Sequence, residues 1–221
     1  ATVRSIIQLL IVGYILQFVF DSEQVIFIIL MIILMIAAAT QNARKKGTKI
    51  KGITGKLVAT YVFVEILTQG ILLSFQVTPP TAQYIIPISQ MMIGNSMVLS
   101  ILFLNQITAE VESSKDEVEL ILSLGGTPKQ AVHKRLITAI QASTIPTIES
   151  QKTIGLVQLP GMMSGQIIAG ADPVQAVQFQ LLILFLLLTA AVVTSAMLGL
   201  LSYPSLFNER MQLLKIKKDA K

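Results

Sequence analysis

Long apolar runs alternate with short polar segments along this chain, and that pattern constrains its fold more than any other feature. A helix needs about 20 apolar residues to cross about 30 Å of hydrocarbon. Runs of this kind occupy 5–20, 25–39, 57–75, 84–104 and 174–201. Only 13% of the residues are charged, whereas charged residues make up about a quarter of a typical soluble domain. We therefore predict an all-α, polytopic helical membrane protein with about six transmembrane helices.

A sixth apolar region, 136–170, is interrupted by prolines and charges, namely Pro146, Glu149, Lys152 and Pro160. Because proline removes a backbone hydrogen bond and charge is costly in lipid, we predict one discontinuous or re-entrant passage here. The predicted organisation then has four parts. These are a membrane region of four spans (1–104), a polar cytoplasmic segment (105–135), a membrane region with the broken passage and one long span (136–203), and a basic cytoplasmic tail (204–221).

The basic residues gather on one side of the predicted spans. Placing both ends in the cytoplasm puts every Lys and Arg except Lys152 on the cytoplasmic side, in agreement with the positive-inside rule. The predicted outer turns then carry only acids: Asp21, Glu23 and Asp172. The inverted orientation would require translocation of the basic loop and is disfavoured. The pI near 9.5 follows from this asymmetry, so we expect membrane lipid, and no nucleic acid, as a partner.

The cytoplasmic segment contains a predicted helical elbow. Acids open a short amphipathic helix, where the helix dipole favours them, and two glycines end it. A threonine N-cap, a proline and a glutamine that completes a capping box then begin a second helix. Such a hairpin is either a passive connector or a docking element, and its direct junction with a span favours docking. The elbow consists of Asp116, Glu117, Glu119, Gly125, Gly126, Thr127, Pro128, Lys129 and Gln130.

Several segments carry a resemblance to a known family. The pattern Glu119-x5-Gly125 followed by a capped helix resembles the EAA loop of ABC-transporter permeases. Together with 124–131 (LGGTPKQA), the segments 145–147 (IPT) and 152–165 (KTIGLVQLPGMMSG) look like the FetB-type permease family. That family comprises bacterial iron exporters and a plant aluminium-tolerance half-transporter. The resemblance extends over nearly the whole chain.

The resemblance implies a permease subunit in the plasma (inner) membrane that pairs with a separate ABC ATPase and a second copy of itself. The ATPase would bind ATP and Mg, and its groove would seat the elbow. Export of a metal ion, iron, is the activity that the family implies. The plant relative leaves an organic solute such as a sugar nucleotide as the alternative cargo. Family members usually begin with an additional helix, so we expect a seventh span in the intact chain.

The chain lacks the motifs of an ATPase or another enzyme. A Walker A loop needs G-x-x-x-x-G-K-[ST], and the nearest match, 52–57, lacks the spacing and the final hydroxyl. The one histidine, His133, is interpreted as a surface residue, and the absence of cysteine excludes thiolate metal sites. We therefore expect no enzymatic activity and no cofactor in this chain. The energy for transport would come from a partner.

Polar residues inside the predicted spans are candidates for a substrate pathway or gate, because lipid penalises them. Glu65 is either a pathway residue or an interhelical hydrogen-bonding group. Glu149 and Lys152 are three residues apart and are interpreted first as a structural ion pair. The glycines near Pro160 favour close packing, and the methionines favour packing over soft-metal binding. The candidates are Glu65, Asn95, Glu149, Lys152, Gln158, Pro160, Gly161, Met162, Met163 and Gln166; the sequence assigns none of them to metal.

Two other classes of membrane protein fit the same pattern. An ion-coupled secondary transporter would use Glu65 as its ion or proton carrier and would need no ATPase. A non-transporting ABC membrane subunit would transmit force to another protein, but the predicted outer loops are too short to hold one.

Overall fold

The structure, a computed structural model, describes residues 2–22, 24–47, 50, 52–155, 159–208 and 211–214. Within these ranges the chain is built from helices, with one isolated bridge between Phe207 and Leu213. The all-α prediction is confirmed. The elements are α1 (Thr2–Ser22), α2 (Val25–Lys46), α3 (Ile53–Ser74), α4 (Ala82–Ser113), α5 (Lys115–Ser123), α6 (Pro128–Thr153), α7 (Gly161–Ile168), α8 (Pro173–Ser202) and a 3-10 turn (Tyr203–Leu206).

Four of the described helices, α2, α3, α4 and α8, are long and apolar enough to cross a membrane. A shorter apolar stretch, Ile6–Gln17, lies within α1. Helix α6 has the length of a span but carries many polar side chains, and it packs along α4 and α8. The polytopic membrane architecture predicted from the apolar runs is confirmed.

The interruption in the apolar region 136–170 covers fewer residues than the sequence predicts. Helix α6 continues through Pro146, Glu149 and Lys152 as far as Thr153, so these residues do not break it. Pro146 is exposed and costs one backbone hydrogen bond on an outer face, which the helix tolerates. The interruption comes after Thr153. Gly155 adopts a left-handed φ of 86°, and Pro160 is the N-cap of α7.

Helix α4 extends well past its apolar run and ends at Ser113, while α6 begins at Pro128. Helical structure therefore continues from α4 and α6 into the polar segment 105–135. Helix α5 and its two flanking turns are the parts of this segment that lie outside a long helix. The elbow is thus joined directly to two long helices, α4 and α6, whereas the sequence predicted a direct junction with one span.

Helix α4 lies at the centre of the bundle and contacts α2, α3, α6 and α8. Small residues allow the close approach of α4 and α8, as is usual where lipid supplies no hydrophobic driving force. Thr194 Oγ1 donates to Ser96 Oγ at 3.0 Å, and a Cβ at Gly199 would lie 3.5 Å from the Phe103 ring. Ser143 and Ser195 share a further hydrogen bond of 2.9 Å between α6 and α8. Short hydroxyl pairs therefore join the three helices at close range.

Two substitutions of Ser96 measure separately the interhelical hydrogen bond and the close packing between α4 and α8. Ser96→Ala removes one interhelical hydrogen bond, which is worth about 0.6 kcal/mol on average in membrane proteins. Ser96→Leu overpacks a fully buried site and should cost about 1–3 kcal/mol of unfolding free energy. Unfolding in mixed micelles measures both, and Val98→Leu, at an exposed position of the same helix, is the control. Equal stabilities for the two Ser96 variants would contradict close packing at this contact.

Candidate functional site

The turn that ends α5 is a Schellman motif, which requires glycine. Gly125 has a left-handed φ of 85°, and its N–H donates to the Leu122 carbonyl at 3.1 Å. The Gly126 N–H donates to the Ile121 carbonyl at 2.9 Å, and a Cβ at Gly126 would lie only 2.8 Å from that oxygen. These are the two hydrogen bonds of the motif. The prediction that the two glycines end this helix is confirmed.

The start of α6 is fixed by the predicted capping box. Thr127 is extended (φ −75°, ψ 155°), and its side chain accepts a hydrogen bond from the Gln130 N–H at 3.4 Å. The Thr127 N–H in turn donates to Gln130 Oε1 at 2.8 Å. Pro128 occupies the first turn, where its missing N–H costs nothing. Both sides of the elbow therefore have defined, rather than frayed, helix ends.

Helix α5 has a buried face and an exposed face. Val118 is fully buried in the core that includes Val132. On the other face, Leu120 and the C-cap residue Leu124 are 57% and 79% exposed. They lie four residues apart, which places them on one side of the elbow. Asp116, Glu117 and Glu119 are exposed in the first half of the same helix, and Glu119 pairs with Lys115 at 3.4 Å. The elbow thus presents two apolar side chains and, before them in the chain, three exposed acids.

Arg135 is the residue of this region that sequence reasoning missed. It lies on α6 and is buried, with its Nε donating to Ser114 Oγ at 2.6 Å. Its guanidinium also pairs with the Glu117 carboxylate, and this hydrogen bond lowers the pKa of Glu117 below its ordinary value of 4.5. The signal was present, because Arg135 stands in the stripe of buried α6 residues at 131, 132, 136 and 139. A cation in such a stripe needs a partner.

A second polar site lies between α3 and α4. The Ser89 hydroxyl donates to Glu65 Oε1, and Gln69 Nε2 donates to Ser89 Oγ at 2.9 Å. Glu65 is 6% exposed. The interhelical hydrogen bond considered for Glu65 is therefore present; its role in a pathway stays a prediction.

Two buried oxygens of this site lack hydrogen-bond partners among the described residues. They are Glu65 Oε2 and Gln69 Oε1, and both are acceptors. On α8, Gln180 Oε1 is a further buried oxygen without a partner, and Gln180 lies one helical turn before Ile183, which packs in the same cluster as Val64. The Glu65 site thus has two acceptor oxygens that no donor of the described residues satisfies.

The remaining pathway candidates are dispersed. Asn95 donates to the Leu187 carbonyl at 3.5 Å, joining α4 to α8. Glu149 and Lys152 form an exposed ion pair of 2.7 Å. Gln158 lies outside the described residues.

Helix α7 carries the other candidates and packs on α8. Met163 is buried, while Met162 and Gln166 are half-buried. A Cβ added at Gly161 or Gly165 would meet no heavy atom within 4 Å. The small-residue face of α7 is therefore open within the described part of the chain, so the close packing predicted for it has no partner there.

In the ranges that the structure describes, no group of three or more His, Cys, Asp or Glu side chains is placed to hold a metal ion. His133 is exposed on α6, as predicted. Any metal that contacts the Glu65 site would therefore meet carboxylate, amide and hydroxyl oxygens.

Comparison with known proteins identifies the family. The model of "Uncharacterised protein family (UPF0014)" matches residues 1–207. The chain belongs to this family. It is 55% identical to the UPF0014 membrane protein YjkA of Bacillus subtilis, over 96% of this chain and 85% of that protein. No solved structure matches.

Two further relatives in this UPF0014 family confirm the resemblance read from the sequence. The chain is 37% identical to the "Probable iron export permease protein FetB" of Escherichia coli, over 96% of this chain and 82% of that protein. It is 34% identical to the protein ALUMINUM SENSITIVE 3 of Arabidopsis thaliana, over 95% and 77%. The UPF0014 chain described here is thus a membrane protein with relatives named as membrane proteins and as a permease.

Alanine at the glycine stop tests the elbow geometry. Gly125→Ala forces a left-handed conformation on a residue with a Cβ, at a cost of about 1–2 kcal/mol. We expect faster proteolysis within 124–127 of the protein in detergent. Gly55→Ala, at a helical position with open space around it, should leave the cleavage rate unchanged. Equal cleavage of both variants would contradict the observed turn.

Proposed function

We propose that this chain is the membrane-spanning permease subunit of an ABC transporter in the plasma membrane, driven by a separate ATPase. The observation that carries the proposal is the elbow, which is capped on both sides and joined directly to α4 and α6. Force applied to such an element passes into the membrane bundle without being lost in a loose loop. The chain contributes no nucleotide site or enzymatic activity, and ATP and Mg²⁺ would bind to the partner ATPase.

The exposed face of α5 defines the chemistry of the ATPase surface. Leu120 and Leu124 would fill an apolar groove, because exposed leucines on a short polar helix gain most from burial. Asp116 and Glu119 are exposed on the same helix. We therefore expect a partner groove with an apolar floor and basic residues at its rim.

We propose a metal cation, iron, as the cargo. The support from relatives is the printed name of the Escherichia coli protein. The support from the structure is the pair of buried acceptor oxygens at Glu65 and Gln69. Such a site favours a cation over a sugar nucleotide, whose phosphates need donors. Carboxylate and carbonyl oxygens suit hard cations.

The proposed assembly contains two permeases on two ATPases. The open face of α7 at Gly161 and Gly165 supports a second copy, because small residues permit close helix contact and have no partner within the protomer. The same assembly would bring two Glu65 sites into one transporter.

Charge placed on the exposed leucines tests the docking. Leu124→Asp should weaken binding to the ATPase by about tenfold or more, the equivalent of losing at least about 1.4 kcal/mol of apolar contact. Co-purification and permease-stimulated ATP hydrolysis measure the effect. Ser123→Asp adds the same charge at the neighbouring exposed position and should change binding by less. Wild-type association and hydrolysis in Leu124→Asp would contradict docking through α5.

Neutralisation of Glu65 tests the cargo site. Glu65→Gln keeps the volume and the hydrogen bond to Ser89 but replaces the carboxyl group and its second acceptor oxygen with an amide, so iron efflux from vesicles containing both subunits should fall about tenfold or more. Stimulated ATP hydrolysis should persist, since the elbow is untouched. Thr68→Val is the matched control, because the Thr68 hydroxyl bonds only carbonyls of its own helix among the described contacts. Unchanged efflux in Glu65→Gln would exclude a role for this carboxylate in the pathway.

A further inference from the structure

Arg135 combines burial with a position at the base of the elbow. It lies on α6, seven residues after Pro128 and so about two turns from the capped start of the helix. Its side chain is 8% exposed, whereas the side chain of its partner Glu117 is 53% exposed. A buried guanidinium that lost its partners would leave an uncompensated charge, which is strongly destabilising. Its hydrogen bonds therefore restrict where α5 can lie.

The guanidinium contacts both sides of the joint between α4 and α5. Ser114 is the joint: α4 ends at Ser113, α5 begins at Lys115, and Ser114 itself departs from helical geometry at φ −115° and ψ 29°. Arg135 Nε donates to Ser114 Oγ, and that hydroxyl donates to the Glu110 carbonyl of α4 at 2.7 Å. The terminal nitrogen binds Glu117, in the first turn of α5.

These contacts use the geometry of arginine. One planar fork presents donors in fixed directions, so Nε and the terminal nitrogen can engage Ser114 and Glu117 simultaneously. A lysine ammonium would keep the charge at a single point and could not hold both groups in the same orientation. Val118 of α5 packs in the same apolar core as Val132 of α6. The hydrogen bonds of the guanidinium thus add to an apolar contact between α5 and α6.

We propose that Arg135 is a positioning residue that clamps the α4–α5 joint to α6, so that the end of α4, α5 and the start of α6 move as one rigid body. This inference rests on the proposed function of the elbow as the ATPase dock. With the clamp closed, a displacement of α5 reaches α4 and α6 together. With the clamp open, the chain bends at Ser114 and the displacement is absorbed there.

The clamp predicts a loss of coupling rather than a loss of docking. Leu120 and Leu124, the leucines proposed to dock, lie on the side of the elbow opposite Val118, and the hydrogen bonds of Arg135 go to Ser114 and Glu117 instead. Arg135→Lys should therefore keep affinity for the ATPase and the KM for ATP within about twofold. The number of iron ions exported per ATP hydrolysed should fall about fivefold or more. A role limited to overall folding would reduce the amount of active protein and leave the number of iron ions exported per ATP unchanged.

Distance measurements test the clamp independently of transport. The chain has no cysteine, so spin labels can be placed at Ser123→Cys and Gln141→Cys, both exposed positions. The label-to-label distances should be narrowly distributed in the otherwise unmodified protein and broad in Arg135→Lys. Lys134→Ala, which removes a positive charge at the exposed neighbouring position, is the control and should keep the narrow distribution.

Glu117→Ala and Ser114→Ala provide the second route if Arg135→Lys folds poorly. Each removes one end of the clamp from a position that is not fully buried, and each should broaden the distances. Narrow distances and a normal ion-to-ATP ratio in these variants would overturn the clamp. Failure of the otherwise unmodified chain to bind any ATPase would instead overturn the proposed function, while the distance measurement would still decide whether α5 is held to α6.

Discussion

Lipid offers no hydrogen-bond partners, and this constraint shapes every part of the protein. Backbone groups are satisfied within helices, and the polar side chains that enter the bundle pair across helices. Thr194 with Ser96 and Ser143 with Ser195 are such pairs. The same constraint moves most charge to the helix ends, where α5 and its turns lie. A buried polar group without a partner therefore stands out, and Glu65 carries one such atom.

The two candidate sites follow from this division, and under the proposed function they would serve different parts of one transport cycle. The elbow combines strict backbone geometry at Gly125 and Thr127 with an exposed apolar surface, as suits an element that receives force. The Glu65 site has buried acceptors within the bundle, as suits an element that meets a cation. Helix α4 joins them: Ser89 lies in its N-terminal half, and its last residue, Ser113, adjoins the joint that Arg135 contacts. A movement of α4 would thus reach the Glu65 site directly.

Local signals in the sequence predicted the fold and the elbow. Contacts between residues that are distant in the sequence could not be predicted from it. The apolar runs gave the helical membrane class, and glycine and capping chemistry gave the turns, because both depend on neighbouring residues. The continuous passage of α6 through Pro146 was missed, since bundle packing overrides one lost hydrogen bond. Arg135 was missed because its partners are 18 and 21 residues away. The partners of Glu65 were equally out of reach, since Ser89 is on another helix.

The central claim is that this bundle moves its cargo only when a separate ATPase drives it. Efflux of iron from sealed vesicles, compared with and without the partner ATPase and ATP, tests that claim most directly. The account predicts efflux above the background of protein-free vesicles only when the chain, the ATPase and hydrolysable ATP are all present. Efflux by this chain alone down an ion or proton gradient, abolished by Glu65→Gln, would contradict it and would identify an ion-coupled secondary transporter.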